Sequence, residues 1–221
     1  MCLKNKKPKH LAEDLVIGQI ELKGFFMPEQ KSDKAAEQSF SNFKELSLLK
    51  ERSIFLSDAV TSETAKEVVT SLLTLDSKSK ETIYLYLNSP GGEINSGFSI
   101  YDTIRFIDSE VTVITAGLCA SIATIINIAV PAANRLSMPN SRFLIHQPLI
   151  HGQVYGQATD LEITANEITK TRKKINELLA KECGQTFEKL VQDTKRDYWM
   201  SAEEAIKYGL ISRIIKTKKE I

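Results

Sequence analysis

Cysteine is scarce in this 221-residue chain: Cys2, Cys119 and Cys183 are the only three, and they stand far apart. An odd, scattered set supplies neither a disulfide framework nor the paired spacing of a zinc site. It points to a reducing compartment, and the cytoplasm is the expected location. An excess of one charge is missing as well. Lysine and arginine number 29 against 28 aspartates and glutamates, so bulk charge implies no nucleic-acid partner and no acidic membrane surface. The basic start runs into LAEDLVIGQ, not into an apolar core with a cleavage site, and no signal peptide is expected. Phosphate loops, clustered metal ligands and internal repeats are absent, so no metal, nucleotide or other cofactor is expected. The 42% apolar content can bury one good core, which predicts a single domain with short appendages.

What the chain does have is an uncharged run of 24 residues, 111 to 134. Such a run is long enough to span a bilayer. It opens with the β-branched VTVIT, carries Gly117, Asn127 and Pro131, and lacks flanking aromatics. A buried strand, a break at Gly117, a tight turn and a buried helix fit it better than a membrane span. Ser121 opens that helix, where free backbone N–H groups and the positive end of the helix dipole can stabilise an anion. An acyl-transfer nucleophile needs that environment. The plainer alternative is a serine that merely caps the helix. The hydrolase elbow G-x-S-x-G does not decide between them, because Cys119 and Ala123 occupy its glycine positions.

The rest of the pattern alternates strands and helices. Residues 1 to 42 mix short apolar pieces with the polar stretch PEQKSDKAAEQS and form a separate, partly disordered segment. The core begins near Phe43 with a short helix, FKELSLLKE, and the strand SIFLS. Residues 62 to 75 place Ala65, Val68, Val69 and Leu72 at helical spacing, with Ser62 as the cap. IYLYL (83 to 87) is a strand leading into Asn88-Ser89-Pro90-Gly91-Gly92, and a helix with Ile100, Tyr101, Ile104 and Ile107 on one face follows. This order predicts parallel β-α-β units. Strands RLSM and RFLIH, a long polar helix over about 157 to 182, a capping box at Ser201 to Glu204, and a last strand LISRII complete the chain.

Parallel sheets bind ligands beyond the carboxyl ends of their strands, where Gly91-Gly92, Ser121 and His146 all fall. A serine nucleophile needs a base. Of the three histidines, His10 lies in the basic start, His151 follows five residues after His146, and His146 ends the strand RFLI. The glycine pair can present an unobstructed N–H to an oxyanion, with a second from Ile122.

These residues together resemble the proteolytic subunit of the ATP-dependent Clp protease, a family of barrel-forming serine peptidases. The similarity covers about residues 43 to 215 and rests on LLKERSIFL, IYLYLNSPGG, GLCAS, MPNSRFLIHQPL, GQATDLEI and RDYWMSAEEAIKYGL. The resemblance implies Ser121 as nucleophile, His146 as general base and Asp197 as the residue that orients it, with an oxyanion hole at the backbone of Gly92 and Ile122. It implies an α/β fold, the crotonase-like spiral of β-α-β units with a protruding handle helix. It implies two stacked heptameric rings, unfolded polypeptide substrates, and a Clp-type AAA+ ATPase partner docking on apolar pockets that map to Tyr84, Tyr86 and Phe106.

The chain departs from the family in its long first 42 residues, in IHGQVYGQ after HQPL, in Lys195 before Arg196-Asp197 and in Ala116. Two other readings stand beside this one, the first favoured by the unusual amino terminus and the second by a similar oxyanion hole. One is a structural paralogue subunit of a mixed ring with little activity of its own, which is opposed by the complete triad. The other is an acyl-CoA hydratase or isomerase on the same fold, which would not need all three triad residues.

Overall fold

A computed structural model of the chain describes residues 43, 46–149 and 155–221, within the unit Asn42–Ile221. The N-terminal segment 1–42, including His10, and residues 150–154, including His151, lie outside the described residues. Residues 46–50 are helical. There follow strand β1 (Ser53–Leu56), helix α1 (Ser62–Lys78), β2 (Ile83–Ser89), α2 (Ile94–Phe106), β3 (Val111–Ala120), α3 (Ile122–Asn127), β4 (Arg135–Ser137) and β5 (Arg142–Ile145). The chain ends with α4 (Ala158–Cys183), α5 (Phe187–Asp193), β6 (Tyr198–Ser201), α6 (Ala202–Tyr208) and β7 (Arg213–Ile214).

Strands β1, β2, β3, β4 and β7 pair in that order, all parallel, as the β-α-β pattern predicts. β2 alternates strictly: Ile83, Leu85 and Leu87 are buried in the main core with the helices, while Tyr84 and Tyr86 turn to the other face, against Ile114, Leu136 and Ile215. The uncharged run is therefore a strand and a short buried helix. No helix among the described residues is long and apolar enough to cross a membrane.

Two details correct the sequence reading. Thr61, not Ser62, caps α1: its side chain accepts from the Thr64 N–H, and Thr64 returns the bond to the Thr61 N–H. Gly117 does not end β3 either, because the strand continues through it to Ala120 as a bulge. Between the pairs Leu87↔Thr115 and Ser89↔Cys119, β3 advances four residues while β2 advances two. The backbone groups freed by the mismatch need partners. Asn88 Oδ1 accepts from the Leu118 N–H (2.9 Å), and Ser141 Oγ accepts from the Gly117 N–H (3.2 Å) while donating to the Thr115 carbonyl (3.0 Å). Gly117 has φ +125°, and a Cβ there would lie 2.6 Å from Asn88 Oδ1, so only glycine fits.

The bulge also forks the sheet. Before it, Val113 to Thr115 pair with β4; beyond it, Leu118 to Ala120 pair with β5. β5 carries the antiparallel β6 on its far side. The short strand β6 and helix α5 escape the periodicity reading because neither is long enough to show a repeat.

Helix α4 is buried only in its last turns, at Ile175, Asn176, Leu179, Ala180 and Cys183, and its first half is almost wholly exposed. Arg135, 1% exposed, fixes the buried end. Its guanidinium donates to the carbonyls of Val130 (2.9 Å) and Glu182 (2.8 Å) and pairs with the Glu182 carboxylate. Removing one partner of a buried ion pair strands the other. Arg135→Met should therefore destabilise the chain by about 3 kcal/mol, read as a lower midpoint in chemical denaturation; a change below about 1 kcal/mol, the scale of an exposed pair, would show that the guanidinium is dispensable.

Candidate active site

Ser121 sits between the end of β3 and the start of α3 in a conformation few serines adopt, φ 58° and ψ −126°. Its side chain makes no capping bond to the helix, which removes the plain N-cap reading. Instead its N–H donates to the Leu144 carbonyl of β5 (2.9 Å), and its carbonyl accepts from the N–H (3.0 Å) and hydroxyl (2.7 Å) of Thr124. These bonds hold a backbone geometry that costs on the order of 1–3 kcal/mol. The result is a hydroxyl projected out of the turn.

His146 follows β5 directly, and β5 pairs with the last residues of β3, so the histidine is delivered to the serine. Asp197 immediately precedes β6, whose Tyr198 pairs with Ile145 beside His146. Neighbouring strands thus bring together residues 76 positions apart in sequence, Ser121 and Asp197. Ser121 Oγ lies 2.9 Å from His146 Nε2, and His146 Nδ1 lies 3.0 Å from Asp197 Oδ1. An ionised carboxylate only accepts, so Nδ1 carries the proton and Nε2 presents its lone pair to the serine hydroxyl. His146 is largely buried (15% side-chain exposure), whereas Asp197 is open to solvent (63%).

The glycine turn closes the other side. Val60 pins it: the Val60 N–H donates to the Gly91 carbonyl and the Glu93 N–H to the Val60 carbonyl, both at 2.8 Å. A Cβ on Gly91 would lie 2.6 Å from the Ala120 carbonyl oxygen and 2.7 Å from Ser121 Cβ; one on Gly92 would lie 2.2 Å from the Val60 carbonyl oxygen. Glycine is what lets these backbones touch. Among the described residues, neither the Gly92 nor the Ile122 N–H donates a hydrogen bond, so both remain available to an incoming oxygen. A cleft lined by Val60, Gly91, Gly92, Ser121, His146 and Leu149 opens over them.

Cys119, two residues from Ser121, does not compete as a nucleophile. Burial pushes its thiol well above the ordinary range, and a buried neutral thiol is inert. No group of three or more His, Cys, Asp or Glu side chains among the described residues is arranged to hold a metal.

The Clp protease family model matches residues 34–218 of this sequence. The chain belongs to the Clp protease family. ATP-dependent Clp protease proteolytic subunit 3 of Rhizobium etli is 44% identical over 193 residues, covering 87% of this chain and 98% of the relative. The ATP-dependent Clp protease proteolytic subunit of Ligilactobacillus salivarius is 44% identical over 175 residues, 79% of this chain and 88% of that one. Among solved structures, a point mutant of ClpP1 from Listeria monocytogenes superposes with a TM-score of 0.73 at 37% identity, covering 79% of this chain and 96% of its own. The fold is accordingly that of the Clp proteolytic subunits, a serine endopeptidase family, as the resemblance implied.

The three aromatics that the resemblance assigns to partner docking divide. Tyr84 and Tyr86 share one face of the sheet, and Tyr86 stacks on Phe55 with ring centroids 4.7 Å apart. Tyr86 also lines a hollow with Met138, Pro139 and Ile215. Phe106 ends α2, 80% exposed, and is not part of that cluster. The sequence reading missed Asn88, Ser141 and Thr124, whose short polar side chains are the only local signal that a bulge and a turn need support.

The strained turn makes a test independent of activity. Ser121→Gly and Ser121→Ala both lose the hydroxyl, but only glycine tolerates φ 58° without a Cβ penalty. The glycine variant should be the more stable by about 1 kcal/mol, seen as a higher Tm; equal stability would mean the turn is unstrained.

Proposed function

We propose that the chain is a Clp-type serine endopeptidase in which Ser121 is the nucleophile, His146 the general base and Asp197 the residue that orients the imidazole. The observation that carries this reading is the continuous line of hydrogen-bonding distances from Asp197 through His146 to Ser121, with a free N–H pair beside the hydroxyl. In the first step Ser121 Oγ attacks the scissile carbonyl carbon as His146 Nε2 takes its proton. The N–H groups of Gly92 and Ile122 receive the oxyanion. The C–N bond then breaks, the leaving amine takes the proton from His146, and an acyl-enzyme remains. Water attacks that ester, giving its proton to His146, which returns it to Ser121 Oγ as the acid product leaves. Asp197 stays ionised throughout and stabilises the imidazolium.

The substrates are unfolded polypeptides, and a Clp-type AAA+ ATPase delivers them after docking at two places, the sheet face with the half-buried Tyr84 and Tyr86 and the end of α2 with the exposed Phe106. The peptidase domain spans residues 43–221, behind a divergent segment 1–42. It assembles into two heptameric rings in the cytoplasm. A second reading, favoured by the numbered subunit name of the Rhizobium relative, makes the chain one of several paralogues in a mixed ring; Lys195, in place of the acidic residue the resemblance leads one to expect, is consistent with a paralogue supplying the opposite charge.

Ser121→Ala should lower turnover of a model peptide by about 10⁴-fold or more, and His146→Ala by nearly as much, with the double variant scarcely worse than either. Near-normal turnover by the serine variant would end this mechanism, and an additive double variant would show that the two residues do not act as one unit.

A further inference from the structure

The free N–H of Ile122 and the carbonyl of Ser121 are the two ends of one planar peptide unit, so whatever holds the carbonyl also aims the N–H. Two bonds hold it, both from Thr124: the N–H donates at 3.0 Å and the hydroxyl at 2.7 Å. The other helices are built differently. In α1, α2, α4 and α5 the carbonyl of the residue before the helix accepts from the N–H four residues on, at Ala65, Gly97, Leu161 and Leu190. At α3 the N–H comes from three residues on, and a side chain supplies the second donor.

A threonine that bonds back to its own helix is ordinary in itself. Thr70, Thr103, Thr164 and Thr169 all do so, at exposed positions and to carbonyls four residues back. Those carbonyls belong to peptides inside a helix, where the N–H end is taken by the ladder. Thr124 differs on both counts. It is 1% exposed, so water does not compete for its bond, and the peptide it grips keeps its N–H end free. A hydrogen bond accepted at one end of a peptide polarises the amide and strengthens the donor at the other end.

We propose that Thr124 is a positioning residue for the oxyanion hole: its hydroxyl, bonded to the Ser121 carbonyl, fixes and polarises the Ile122 N–H that receives the oxyanion. The inference rests on the peptidase reading above. Loss of a whole oxyanion-hole donor costs about 10²–10³ in kcat, and one bond in a cooperative chain strengthens its neighbour by about 10–30%. Removing the hydroxyl alone should therefore cost about 2–8-fold.

The test uses the full chain, with the reactive sites in each preparation counted by the amount of a fluorophosphonate bound at completion. Thr124→Val keeps the branched shape and the backbone N–H bond, Thr124→Ala is a second variant without the hydroxyl, and Thr124→Ser restores it. Per reactive site, the valine and alanine variants should lower kcat for a model peptide by about 2–8-fold with KM little changed. They should weaken a peptide aldehyde, whose hemiacetal oxygen enters the hole, by a similar factor. The pH profile of kcat/KM should keep its shape, because His146 is untouched, and the serine variant should recover most of the loss. Full kcat in both variants, or an equal loss in the serine variant, would overturn the proposal. So would a loss that appears in KM or in the pH profile and not in aldehyde binding, or the absence of reactive sites from both variants, since either would make the hydroxyl a support of the fold alone. A wild type that takes no fluorophosphonate on Ser121 and cleaves no peptide would overturn the peptidase reading as well.

Discussion

Two stretches of backbone meet at this site with no side chain between them. Gly91 and Gly92 press against the Ala120–Ser121 turn on one side and against Val60 on the other, closer than any Cβ would permit. That contact decides much else. It puts the Gly92 N–H beside the serine, and it requires the carboxyl ends of β2 and β3 to come together despite the two extra residues in β3. The mismatch is absorbed by the bulge at Gly117, which Asn88 and Ser141 hold by their side chains. Once past the bulge, β3 abandons β4 for β5, and β5 brings His146 to the hydroxyl.

The strain at Ser121 is held by the same arrangement. A residue at φ 58° and ψ −126° relaxes unless its surroundings over-determine it. Here the Ser121 N–H donates to the Leu144 carbonyl, the N–H and hydroxyl of Thr124 both donate to the Ser121 carbonyl, and the buried α3 follows at once. In the mechanism proposed, preorganisation of this kind would spare the oxyanion donors and the base any rearrangement as charge develops.

Much of this was legible in the sequence because periodicity and motif spacing report backbone direction. VTVIT, IYLYL and RFLIH announced parallel strands, and residues at their carboxyl ends were natural candidates for chemistry. The serine, histidine and aspartate were placed by family resemblance more than by pattern, since nothing local marks Asp197 and β6 is only four residues long. What the sequence concealed was two-sided geometry. Gly117 reads as a break because glycine usually is one, and only the partner strand reveals a bulge. Ser62 and Thr61 are interchangeable as caps until the Thr64 side chain is seen to answer one of them. Ser121 likewise looks like a cap until its side chain is seen to make no bond to the helix and to meet His146 instead.

The central claim is that Ser121 is an activated nucleophile and that His146 activates it. A small fluorophosphonate tests this directly, since attack by Oγ expels fluoride only if a base takes the hydroxyl proton. After brief exposure of the intact chain, peptide mapping by mass spectrometry should find the phosphonyl adduct on Ser121, forming about 100-fold or more slowly in His146→Ala. An adduct elsewhere, or equal rates in the two proteins, would contradict the account.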